Sequence, residues 1–174
     1  MDKKIIVGIF GFLFIWFSFL TQINVLNEFE LFGVKPNIAI VVIVGIALLS
    51  GKIPGMMVGI AYGLIYDVAF GKALGVYTLI YALIGFSLGR YSNGFSKENR
   101  LSVIYMVGIV TALVEAVMYL IFVVLYGYTF EIFAPLLLIA KEAVYNMIIA
   151  RLIYSLLASF SEIINKCKNS YYLL

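Results

Sequence analysis

The polar chemistry open to this 174-residue chain rests on a handful of groups set inside long apolar runs: Asp67, Glu115, Glu142, Tyr145, Asn146 and Arg151. Placing an ionisable side chain at membrane depth costs at least about 2.5 kcal/mol on insertion scales, so each must gain something there. Carboxylates in such places carry protons or ions, bind a solute, line a groove for a partner, or hydrogen-bond one helix to another. Catalysis is the least supported use. The chain has no histidine and a single cysteine, Cys167, flanked by lysines near its end. A nucleophile-and-base arrangement would have to rest on serine and buried carboxylates, and no such set stands out. The same composition leaves no basis for a disulfide framework, a histidine-ligated haem or a CxxC metal site. The expectation is a protein without a cofactor and without catalytic residues.

The elements that must position these groups are transmembrane helices. Hydrophobic residues make up 64% of the chain and charged residues 12%, about half the charge of an ordinary soluble domain. Mean hydropathy is +1.11. The net charge of +3 has no basic patch outside the segments flanking the apolar runs, so nucleic acid is not an expected partner. The expected fold is an all-α integral membrane protein, one six-helix bundle over residues 1–164, with helices at about 5–23, 37–50, 53–67, 73–89, 101–126 and 141–160. The first block is charge-free for nineteen residues and lacks a small-x-small cleavage pattern, so it reads as an uncleaved helix rather than a signal peptide. Pro36 and Pro54 open the second and third helices, where a missing N–H costs nothing. Pro135 is expected to separate an apolar outer segment, about 130–140, from the last helix. Residues 165–174 read as a cytoplasmic tail whose lysines meet anionic headgroups.

Lysine and arginine placement orients the bundle. With both ends in the cytoplasm, Lys3, Lys4, Lys52, Arg90, Lys97, Arg100, Lys166 and Lys168 fall inside, against Lys35 and Lys72 outside.

Within that frame Gly55, Gly59 and Gly63 recur every four residues, with Asp67 continuing the row. Such a strip lets another backbone approach closely, from the same protein or from a partner. Gly85 and Gly89 form a shorter version on the fourth helix. Asp67, Glu115 and Asn146 each lie about fourteen residues from the cytoplasmic ends of their helices, roughly 21 Å, so they are expected to form one polar layer. Glu142, Tyr145, Asn146 and Ile149 share one helix face, and Arg151 points away from Glu142. Proton or ion path, solute site, partner groove and polar glue all remain open for this layer.

Several stretches together resemble the rod shape-determining protein MreD family. They are Lys35-Pro36-Asn37, Gly51-Lys52-Ile53-Pro54-Gly55, the run from Gly59 to Asp67, Phe70-Gly71-Lys72-Ala73-Leu74-Gly75, the Gly85 and Gly89 helix, Glu98-Asn99-Arg100, and Glu142-Ala143-Val144-Tyr145-Asn146. The resemblance covers about Pro36 to Tyr154, and the first helix matches only in length and position. It implies a non-catalytic scaffold of the cell-wall elongation machinery in the bacterial cytoplasmic membrane. It also implies binding to MreC and a complex with MreB, RodA and a class B transpeptidase. It further implies helices arranged like the substrate-binding subunits of energy-coupling-factor vitamin transporters. Carried onto this chain, the Gly55-Gly59-Gly63-Asp67 face and the Glu142-Tyr145-Asn146 face become candidate walls of a groove for MreC.

A vitamin-transporter subunit of the same size and topology is the main rival. Its relatives resemble one another in an Ala-x-x-x-Ala strip on the first helix. Here that helix reads Gly8-Ile9-Phe10-Gly11-Phe12-Leu13-Phe14-Ile15-Trp16-Phe17, bulky throughout, which favours the scaffold. A proton-coupled carrier using Asp67 and Glu115 is a further rival.

Overall fold

A computed structural model describes residues 13–22, 33–70, 75–92, 100–127 and 131–169. Among the described residues there are six helices and no strand. We number them α1, helical over 13–20 with a π-turn at 21–22, then α2 (Ile38–Ser50), α3 (Lys52–Phe70), α4 (Val76–Gly89), α5 (Arg100–Tyr126) and α6 (Phe133–Asn169). The rest of the expected first helix, residues 5–12 and 23, lies outside the described residues.

The second helix is the centre of the molecule. Its sequence, Ile-Ala-Ile-Val-Val-Ile-Val-Gly-Ile-Ala-Leu-Leu-Ser, is apolar on every face, which is the pattern of a helix surrounded by protein. Every residue from Ala39 to Ser50 is buried, and α3, α4, α5 and α6 all pack on it. Thirteen residues give a length of only about 20 Å, too short to cross a bilayer alone. Gly51, at φ +98°, turns the chain straight into α3. That left-handed backbone is open to glycine at no steric cost.

The fifth helix is long and apolar enough to cross a membrane over Arg100–Leu125, while α2 and α4 are shorter apolar helices. Exposed leucine, valine and isoleucine side chains line α5 and α6, among them Leu113, Val124, Val144, Ile148 and Leu152.

The end of the chain departs from the sequence expectation. Pro135 does not separate an outer segment at 130–140 from a helix at 141–160. It is the third residue of one continuous helix, Phe133–Asn169. A proline in the first turn removes an N–H that has no intrahelical acceptor anyway, so it opens the helix instead of breaking it. The next residue closes the first bond, Leu136 N–H to the Ile132 carbonyl at 3.2 Å. Helix α6 also continues through the start of the expected tail, to Asn169. Its 37 residues reach about 55 Å, well beyond the ~30 Å hydrocarbon thickness.

Candidate functional site

The glycine row of α3 faces α4, backbone against backbone. A β-carbon on Gly55 would sit 2.6 Å from the Ala47 β-carbon and 2.7 Å from the Gly85 carbonyl oxygen. One on Gly59 would strike the Tyr81 carbonyl, and one on Gly63 the Thr78 backbone. Gly85 and Gly89 meet the backbones of Gly55 and Lys52 in return. The close approach that glycine permits is therefore used inside this chain, and α4 fills the face that would otherwise receive a partner helix.

Asp67 completes the same hairpin. It is buried, and its carboxylate accepts from the Tyr77 N–H at 2.9 Å, the Thr78 N–H at 3.0 Å and the Thr78 hydroxyl at 2.5 Å. Gly75, the residue before α4, has no side chain with which to cap it. Asp67 supplies the missing acceptor from the end of α3, placing a negative charge at the positive end of α4.

Asn146 does different work. Fully buried, it accepts from the Asn37 N–H at 2.7 Å and donates to the Thr111 hydroxyl at 3.1 Å. Asn37 caps α2 by accepting from the Ile40 N–H at 3.4 Å. It also accepts from the Tyr66 hydroxyl and donates to the Tyr81 hydroxyl, both at 3.3 Å. Gln22 grips the same turn, donating to the Pro36 carbonyl at 2.7 Å and accepting from the Ile38 N–H at 2.9 Å. Side chains of all six helices or their caps thus converge on the first turn of α2. Asn146 lies thirteen residues, or about 20 Å, into α6, so this turn sits deep in the bundle. Away from water each of these bonds avoids an unsatisfied polar group, which would cost about 1–3 kcal/mol. Ser18 and Tyr62 add a buried hydroxyl pair between α1 and α3.

Glu115 and Glu142 belong to a third setting. They line an open cavity of about 590 Å³ between α5, α6 and the segment before α2. Lys35, Tyr77, Tyr119 and Phe122 share its wall. Tyr77 also belongs to a cluster with Tyr66 and Tyr81, ring centroids 5.7–5.8 Å apart, which connects the cavity wall to the Asn37 cap of α2.

The candidate residues therefore have separate partners. Asp67 caps α4, Asn146 ties helices together, and Glu115 and Glu142 meet at the cavity. Tyr145, one residue before Asn146, is half-buried, and Arg151 is exposed. Gln22, Asn37, Tyr66, Tyr81 and Thr111 were not singled out by spacing. Asn37 alone carried a local sign, a helix-capping residue type directly after Lys35-Pro36. Among the described residues no three carboxylate or thiol side chains lie together as metal ligands would.

These elements define a class: an all-helical protein, with a helix able to cross a membrane, whose buried polar groups mostly bind its own helices together. A family model described as rod shape-determining protein MreD matches residues 2–163. The chain belongs to that family, as the resemblance over its glycine and Glu142–Asn146 stretches implied, and with it to the membrane-associated proteins of rod-shape determination. No curated protein and no solved structure matches the chain, so the expected likeness to vitamin-transporter subunits has no structural support here.

Proposed function

We propose that this chain is a non-catalytic scaffold of the bacterial cell-wall elongation machinery, which binds MreC and links it to MreB, RodA and a class B transpeptidase. The match of residues 2–163 to the MreD family carries the reading. The fate of the polar groups supports it, since Asp67, Asn37 and Asn146 are engaged in holding helices together rather than aimed at a substrate. We further propose a multi-pass arrangement with both termini in the cytoplasm, on the strength of the lysine and arginine placement.

The glycine face is not the groove for MreC in this reading, because α4 occupies it. Glu115 and Glu142 at the cavity, with Tyr145 and Arg151 on α6, are the candidates that remain reachable. The test is depletion of the protein in its native cell, combined with affinity purification of the tagged chain in mild detergent. Rounded cells and co-purified MreC are the expected result. Normal rods, with an ATPase module or a vitamin in the pull-down, would overturn the scaffold in favour of a transporter subunit.

A further inference from the structure

The cavity between α5, α6 and the segment before α2 has a chemistry that scaffolding does not require. Its volume of about 590 Å³ falls in the range of small-molecule sites. Among the described residues its wall carries three charged groups, Lys35, Glu115 and Glu142. Two carboxylates lining one space repel each other, and a single lysine offsets only one of them. The second is balanced by a proton or, when one is bound, by a ligand's positive charge. The remaining wall suits an organic cation better than a hydrated metal ion. Tyr77, Tyr119 and Phe122 contribute aromatic rings, whose faces attract an ammonium group, and Met118 and Leu138 contribute apolar surface.

We propose that this cavity binds a ligand bearing one primary ammonium group on an apolar stem, with the ammonium directed to Glu115 and Glu142 and the stem against Met118 and Leu138. The ammonium can come from a free amine or from the headgroup of an aminophospholipid in the surrounding bilayer. The inference goes beyond the scaffold reading and does not depend on it, because binding is measured on the purified chain without any partner.

The experiment is thermal unfolding of the full chain in nanodiscs of phosphatidylglycerol, titrated with hexylammonium and, separately, with hexanol. Hexylammonium is expected to raise the melting temperature saturably, while hexanol at equal concentration does not. Glu115→Gln and Glu142→Gln are each expected to weaken the apparent affinity about tenfold or more. Leu138→Trp, which fills the cavity and keeps both carboxylates, is expected to abolish the response, so the test survives a misfolded glutamine variant. Repeating the titration in phosphatidylethanolamine discs separates the sources. A suppressed hexylammonium response there assigns the site to the lipid headgroup, and an unchanged response assigns it to a free amine. Equal effects of hexanol and hexylammonium, or no response in phosphatidylglycerol, would overturn the proposal. So would full responses in folded glutamine variants.

Discussion

The α3–α4 hairpin and the α5–α6 cavity solve opposite problems with the same kind of material. In the hairpin, Gly55, Gly59 and Gly63 let two backbones touch, and the single carboxylate, Asp67, is saturated by the N–H groups it caps. Between α5 and α6 the side chains are large, the helices leave about 590 Å³ open, and Glu115 and Glu142 face that space. A carboxylate inside the bundle is thus a structural part where its acceptors are filled by backbone donors, and a candidate for binding where they are not. Type and depth in the sequence do not separate the two cases.

The sharpest way to break this contrast is to wedge the hairpin open. Gly59→Leu or Gly63→Leu drives a side chain into the Tyr81 or Thr78 backbone and is expected to cost about 3 kcal/mol or more. Protein level and melting temperature should fall together, and a normal level would show that α4 does not sit on that face. Next in size is Asn146→Leu, which strands the Asn37 N–H inside the bundle and removes the donor to Thr111, whose hydroxyl keeps its bond to the Val107 carbonyl. A loss of about 2–3 kcal/mol is expected in the unfolding of the purified protein. Asp67→Ala removes the cap of α4 and should lower stability by about 1–2 kcal/mol, measurable in the same assay. A loss as small as that of a surface substitution would mean that Thr78 and Tyr77 find other acceptors. At the small end, Arg151→Ala on the exposed side of α6 should change stability by no more than about 0.5 kcal/mol.

Much of the architecture was legible in the sequence, for physical reasons that can be named. Pro54 stands in the first turn of α3, where a missing N–H costs nothing, and Pro36 directly precedes Asn37, the N-cap of α2. The four-residue glycine spacing marked a face of close approach, although it could not say which helix approaches. Hydropathy was less informative about α2. Its all-round apolar pattern fits a helix in lipid as well as one enclosed by protein, and only packing separates the two. Pro135 misled because a proline marks either the start of a helix or its interruption, and the apolar residues on both sides do not distinguish them. Equal depth along separate helices could not say which partner each polar group meets. Asn146 reaches Asn37, 109 positions away in sequence, and nothing in the local pattern of either residue records the pairing.

The most direct test of the account replaces the native copy with Glu142→Gln or with Gly59→Ala and scores cell shape against the amount of protein in the membrane. The contrast between a closed seam and a working cavity predicts that Glu142→Gln accumulates normally while the cells lose rod shape. It predicts that Gly59→Ala fails only in proportion to the protein it loses. Rods restored by Glu142→Gln, beside round cells holding a normal amount of Gly59→Ala, would place the function in the glycine seam and contradict the account.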